Sequence, residues 1–355
     1  MPIGSALIWL CTTFALVVTQ MRSFGSLCAL LDWWRDKRYA ENAGVNRGDV
    51  MKITTALKLC TPPVILDAVR EFKRHLARQR AAPSPESMAA VIHGATLRLP
   101  PSHHLPGIIA AHPSYDTALP ELSKFLYARK LQQLIVIDVG ANVGDTAGPI
   151  AAAIGADNVK FICIEGDPQY LPFLRQNVSS LDADIIVAIA GPSNGEINAS
   201  LMGDHGTSSV VQGTGLTKMI SIESVTDRTI DILKIDTDGF ELEVLKGADA
   251  LLRQPNIIVF TEYAPQYIRK YGHTDPTNIF FLMSKAGFNR VLAYDNIGIP
   301  IGVFSTTGNM LTSLSEYAER KPNYYFDLLF DRDGDRLKAF YERECVRLPK
   351  LPPWS

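Results

Sequence analysis

Residues 134–145 read "LIVIDVGANVGD". An apolar run fit for a buried strand closes on Asp138, and a loop built on Gly140, Asn142 and Gly144 follows. Glycine has no Cβ, so such a loop lets something approach the backbone closely. That partner is a nucleotide phosphate, another ligand, or the next helix. The rest of the chain has to decide.

The same alternation recurs downstream. "KFICIEG" precedes a helical pattern near 168–178, and "DIIVAIAG" ends at Gly191. "IDILKID" (230–236) leads into a helix reaching Leu252, with Val244, Leu245, Ala248 and Leu251 on one face. "NIIVFTEY" (256–263) precedes a helix near 276–286, and "FNRVLAYDN" (288–296) comes last. Near-continuous apolar strands separated by helices predict an α/β fold, a doubly wound and mostly parallel sheet covered on both faces. Ligands of such folds sit at the carboxyl ends of the strands. Residues 195–225, rich in Gly, Ser and Thr, break the alternation and read as an inserted hairpin over that edge.

The predicted strand ends carry Asp138, Glu165, Asp236 and Glu262. Acids capping the following helices would account for one or two of these, not for the row. A dinucleotide fold asks for G-x-G-x-x-G, whereas this spacing gives Gly140, Asn142 and Asp145, and no Gly-Lys-Ser/Thr phosphate loop follows. Asp138 and Asp145 would also repel a phosphate. S-adenosylmethionine suits the row better: it carries a sulfonium, an ammonium and a ribose diol, and no phosphate. Glu165 is placed to accept the ribose hydroxyls, while Asp138 and Asp236 favour the cationic end.

"VIDVGANVGD", "CIEGDP", "DILKIDTDGFELEVLKGA" and "IIVFTEY", in this order, resemble the FkbM-type methyltransferases. "HHLPGIIAAHPSYDTALPELSKFL" and the insert "GTSSV" are similar to bacterial members associated with polysaccharide modification. The resemblance spans about residues 90–305. It implies a class I, Rossmann-like methyltransferase domain that moves methyl groups from S-adenosylmethionine to hydroxyl oxygens. It further implies cofactor contacts by Asp138, Gly140, Ala141, Asn142, Gly144 and Glu165. It marks Asp236, Asp238, Glu241 and Glu262 as the family's acidic positions, with Asp238 standing where many members carry Glu. The expected activity is O-methylation of a sugar hydroxyl on a glycan or glycosylated metabolite, without a metal, with Asp236 as the leading base and Glu262 sharing its proton; the alternative is that the two carboxylates hold a divalent cation that orients the acceptor. His104 in the loop "PPSHHLP", His205 and Ser208 in the insert, and Asp238 are expected on the substrate side. Rival readings are a nucleotide-sugar or NAD-dependent oxidoreductase, and a non-catalytic binding module in polysaccharide assembly.

The composition fits this reading. Of 355 residues, 46% are hydrophobic and 20% charged, enough to bury a core, and a net charge of −2 does not suggest a nucleic-acid partner. The cysteines at 11, 28, 60, 163 and 345 form no CxxC pair, so a reducing, cytoplasmic setting is expected. From Pro2 to Met21 there is no charged side chain, and Trp33, Trp34, Arg35, Lys37 and Arg38 follow. About 20 apolar residues cross a bilayer, so residues 1–80 are expected to be a helical segment that either associates with the inner face of the membrane or docks its apolar helix on the protein itself. The amphipathic pattern over 63–80 belongs to it, and "AAPSPES" (81–87) reads as a linker. The methyltransferase domain is assigned to 88–310 and a helical extension to 311–355. Within that extension "DRDGD" (331–335) misses the glycine position of a calcium loop and reads as a solvated acidic turn.

Overall fold

The computed structural model describes residues 87–204 and 207–348. The expected N-terminal membrane segment and His205 lie outside the described residues. Among the described residues, no helix is long and apolar enough to cross a membrane.

A two-stranded antiparallel hairpin, β1 (Met88–Ile92) and β2 (Ala95–Leu99), opens the fold. The helices Leu105–Ala111 (α1) and Ala118–Lys130 (α2) follow, joined by a turn at 112–117. Then comes the parallel core: β3 (Leu134–Val139), β4 (Val159–Glu165), β5 (Asp182–Val187), β9 (Ile232–Ile235) and β10 (Ile258–Tyr263). Between β5 and β9, β6 (Ile189–Ala190), β7 (Gly195–Asp204) and β8 (Thr207–Ile220) form a separate three-stranded sheet, so the expected insert is a long hairpin. β11 (Arg290–Asp295), β12 (Pro300–Ser305) and β13 (Phe326–Phe330) complete an eight-stranded sheet of order β12-β11-β13-β10-β9-β3-β4-β5.

The period of two along each strand sorts the apolar side chains onto two faces. Ile137, Val139, Leu233 and Ile235 join one buried cluster. Leu134, Val136, Phe161 and Ile232 join another across the sheet. Helices Ala147–Ile154 (α3), Leu171–Asn177 (α4), Glu241–Lys246 (α5), Asp249–Leu252 (α6), Pro265–Lys270 (α7) and Asn278–Lys285 (α8) punctuate the strands as the alternation required.

The C-terminal boundary needs correction. Within the segment assigned to a helical extension (311–355), the described residues 311–348 include β13, which runs antiparallel between β10 and β11 and is hydrogen-bonded to both. Two helices, Asn309–Glu319 (α9) and Gly334–Arg347 (α10), flank that strand. Phe326, Leu328, Leu329 and Phe330 are buried in the two main clusters, so cutting at 310 would remove an interior strand. The acidic turn at 331–335 is structural. Asp333 caps α10 by accepting from the N–H groups of Asp335 and Arg336, and Asp331 pairs with Arg336 at 2.6 Å.

Candidate active site

Register puts a charged pair in the middle of the sheet. Asp138 on β3 lies opposite Lys234 on β9, with Cys163 on its other side and Phe260 beyond the lysine. Asp138 is fully buried, and Lys234 Nζ stands 3.1 Å from its Oδ1 and 3.4 Å from Asp236 Oδ2. The best-directed bond of the ammonium, 2.7 Å, goes to the Gly140 carbonyl. Burial pushes the Asp138 carboxyl up to about 6 against the pull of Lys234, and the surrounding acids hold Lys234 above its usual range. Asp138 therefore anchors Lys234 beneath the site and does not line the cavity above it.

The glycine loop is shaped by the same neighbourhood. Gly140 has φ +71, and a Cβ there would sit 1.7 Å from the Asp236 carbonyl oxygen. The end of β9 thus requires the glycine, whereas the sequence argument had reserved that space for a ligand. The Gly140 and Ala141 N–H groups donate to the Ile164 carbonyl, tying the loop to β4. Ala141 is buried, and Gly144 packs on Leu174, Asn177 and Val178, so neither lines the cavity; Gly140 and Asn142 do.

Glu165 ends β4 and joins two loops. Its Oε2 accepts from the Asn142 N–H at 2.8 Å and its Oε1 from the Asp167 N–H at 2.6 Å. Burial raises its carboxyl to about 7, although both N–H groups favour the charged form. Each oxygen keeps a lone pair for a further donor.

Asp236, Asp238 and Glu262 bring carboxylate oxygens within 4.8 Å of one another. Asp238 has φ +50, and its Oδ2 accepts from the Ser208 N–H at 2.7 Å. The Ser208 hydroxyl donates to Asp167 at 2.7 Å, so Ser208 fastens the hairpin over the carboxyl edge. Burial lifts Asp238 to about 7 and Glu262 well above the carboxylate range, with Asp236 the next cause for both. Glu241 is buried below, its Oε1 accepting from Thr237 and Gly239, and shapes the turn that carries Asp236 and Asp238.

These groups surround one cavity of about 240 Å³. Of the residues named in advance, Asp236, Glu262, Gly140, Asn142, Glu165, His104, Ser208 and Asp238 line it. Sequence reasoning missed Lys234, Tyr115, Asp116, Tyr325 and Asp327, which line it too. A lysine inside the apolar run "DILKID" was a usable signal, since a buried charge needs a partner. Asp116 lies within "HHLPGIIAAHPSYDTALPELSKFL", a stretch that carries the resemblance without marking Asp116 as a site residue.

Residues 138–290 match the family model of the Methyltransferase FkbM domain. Over that segment, less than half of the chain, the sequence is similar to FkbM methyltransferase domains. Comparison with curated proteins gave no match. Among solved structures it is similar to the FkbM methyltransferase from Methylobacillus flagellatus KT, at 18% identity and a TM-score of 0.37, covering 56% of this chain and 44% of that one. The chain thus spans less than half of that protein. The plantazolicin methyltransferase BamL, solved with SAH, gives 10% identity, a TM-score of 0.38, and coverage of 64% and 89%. A precorrin-6y C5,15-methyltransferase from Geobacter metallireducens GS-15 gives 12%, 0.33, and coverage of 60% and 87%.

An FkbM methyltransferase takes its methyl group from S-adenosylmethionine, and the cavity fits that cofactor. Among the described residues, its lining holds seven carboxyl groups (Asp116, Asp145, Glu165, Asp236, Asp238, Glu262 and Asp327) against one lysine, Lys234, which is already engaged. That balance favours a sulfonium and an ammonium and disfavours a pyrophosphate. Glu165 offers acceptors to a ribose diol, and the apolar Ile164, Ala188, Ile189, Leu201 and Val210 offer a wall for a base.

Proposed function

We propose that this domain is an S-adenosylmethionine-dependent O-methyltransferase acting on a sugar hydroxyl of a glycan or glycosylated metabolite. The observation that carries the reading is the gathering of Asp236, Asp238 and Glu262 above the sheet edge. A hydroxyl is a very weak acid, so its oxygen becomes an adequate nucleophile only as a base takes the proton. Burial, and next the charge of Asp236, raise the Asp238 and Glu262 carboxyls, so these two hold a proton more readily than free ones. An acid-rich wall also accepts hydrogen bonds from hydroxyl groups and turns away anionic acceptors.

Bound S-adenosylmethionine supplies an electrophilic methyl group. The chain's part is alignment and proton transfer. Glu165 and the Gly140–Asn142 loop hold one side of the cavity, and Lys234 fixes the position of Asp236 from below. Asp236 takes the acceptor's proton, and Glu262 beside it stabilises the shared proton. His104 at the rim and Ser208 under the hairpin border the acceptor's path.

Methyl transfer should fall by roughly 10²–10⁴-fold in Asp236→Asn, the usual weight of a general base, while the thermal unfolding transition stays in place. The assay is mass spectrometry of glycans from cells carrying the wild-type or variant gene, scored for methylated sugar. Unchanged methylation in the variant removes Asp236 from the mechanism. The same three carboxylates are close enough to share a divalent cation. Activity lost in EDTA and restored by magnesium would replace proton transfer to a free carboxylate with metal-assisted deprotonation.

A further inference from the structure

Tyr115, Asp116, Tyr325 and Asp327 line the cavity but lie outside residues 138–290, the segment matched by the family model. They come from two distant parts of the chain. Their placement is specific.

Asp116 sits in the turn between α1 and α2 with φ +56, a left-handed conformation uncommon for a residue with a side chain. The turn is clamped from two sides. The Ser114 hydroxyl donates to the Ile297 carbonyl at 2.7 Å, and the Tyr115 carbonyl lies 2.7 Å from His93 Nε2. The β11–β12 connection packs so tightly on the turn that a Cβ at Gly298 would lie 2.1 Å from the Ser114 carbonyl oxygen. Asp116 is therefore held over the cleft by backbone contacts, with its carboxyl open to the cavity.

Asp327 reaches the same cavity from β13. In the β10–β13 register it lies directly opposite Glu262. Facing carboxylates on adjacent strands sit about 4.5–5.5 Å apart at Cβ and destabilise a sheet when both are charged. Among the described residues, no protein group donates a hydrogen bond to the carboxyls of Asp116, Glu262 or Asp327. Beside them the Tyr325 hydroxyl donates to the Tyr115 hydroxyl at 3.1 Å, setting two aromatic rings into the wall. Crowded carboxyls share protons, so each both donates and accepts, as a sugar hydroxyl does.

We infer that Asp116 and the Glu262–Asp327 pair, with the Tyr115–Tyr325 wall, form the acceptor subsite, and that it selects neutral or amino sugars over uronic acids and phosphorylated sugars. This rests on the sugar O-methyltransferase reading and specifies its substrate class. Hydroxyl groups donate to these carboxyls, a sugar ring lies along the tyrosines, and an acceptor bearing its own anion meets three acids and, among the described residues, no free cation.

The test uses full-length enzyme saturated with S-adenosylhomocysteine and titrated calorimetrically with p-nitrophenyl glucosides, galactosides and mannosides, their amino-sugar counterparts and their uronides. At least one neutral or amino sugar should bind about tenfold or more tightly than its uronide. Asp116→Asn and Asp327→Asn should each weaken that binding by about tenfold, the weight of one charge-assisted hydrogen bond, with S-adenosylhomocysteine affinity held within about twofold. Asparagine tolerates the left-handed backbone at 116, so that variant keeps the turn. Equal binding of uronides, unaltered sugar affinity in both variants, or no binding by any sugar overturns the assignment. Failure of wild-type enzyme to bind S-adenosylhomocysteine overturns the underlying methyltransferase reading instead.

Discussion

Glu165 and Asp327 both face the same cavity from the same sheet, yet the chain treats them in opposite ways. Glu165 closes a parallel strand, and two backbone N–H groups from adjoining loops meet its two oxygens. Asp327 lies in an antiparallel strand reached only after β11, β12 and α9, and its partners on the neighbouring strands are another carboxylate, Glu262, and Tyr294. The cofactor wall is satisfied by its own backbone before anything binds. Among the described residues nothing donates a hydrogen bond to the carboxyls of the acceptor wall, which are stable only with shared protons or a ligand that donates to them. A methyltransferase that keeps one donor and adapts its acceptor gains from this division, because the second wall can change without disturbing the first.

The largest expected effect strikes the cation beneath the site. Lys234→Met leaves Asp138 fully buried beside an apolar side chain, and breaking a buried pair costs about 3–5 kcal/mol. Urea unfolding should show that loss, and Lys234→Met/Asp138→Asn should recover part of it. A loss below about 1 kcal/mol would mean that Asp138 is already neutral in the folded protein and that the pair is not what supports the site.

Next come two changes on the cofactor wall that separate binding from folding. Glu165→Ala should weaken S-adenosylmethionine by about tenfold or more, the loss of roughly 1.5–3 kcal/mol of charge-assisted hydrogen bonding. Gly140→Val should lower the unfolding temperature as well as the affinity, since its first added carbon meets the Asp236 carbonyl. Calorimetry with wild-type affinity in both variants would sink the cofactor placement. A Gly140→Val protein of wild-type stability would show that β9 does not constrain the loop.

The smallest effect is one of pH. Asp138 and Asp145 are raised to about 6, and Glu165 and Asp238 to about 7, in each case chiefly by burial. Unfolded carboxyls titrate near 4, so the folded protein binds more protons between about pH 4 and 7. The stability these groups add is complete below their unfolded pKa and is lost as pH rises through the folded values. Lys234, raised, keeps its contribution throughout this window. Without cofactor the unfolding temperature should therefore drift down from pH 5 to pH 8, and the gain on adding cationic S-adenosylmethionine should grow over the same range. A gain independent of pH would show that the acids do not respond to the cofactor's charge.

Much of the cofactor wall was legible in the sequence because local rules write it. Strands β3, β4, β9 and β10 begin and end within a few residues of the apolar runs that predicted them, and their carboxyl edges carry Glu165, Asp236 and Glu262 in consecutive motifs. The acceptor wall was not legible. "YYFDLLF" (324–330) lies between two amphipathic helices and was read as part of a helical extension, although it is an interior strand. Asp138 was legible as a site residue but not in its role, because only the register of β3 against β9 sets it opposite Lys234.

The sequence by itself determined the parallel α/β core, the acidic strand edge and the FkbM-type cofactor motifs, since strand period, loop glycines and terminal acids are properties of contiguous residues. Tertiary structure alone decided that Gly140 serves the backbone of β9, that Lys234 lies under the carboxylates, and that Asp116 and Asp327 face one cavity. Those facts depend on which strands become neighbours and in what register. Pairing between residues far apart in the chain is settled by packing of the whole sheet, and no single stretch of sequence records it.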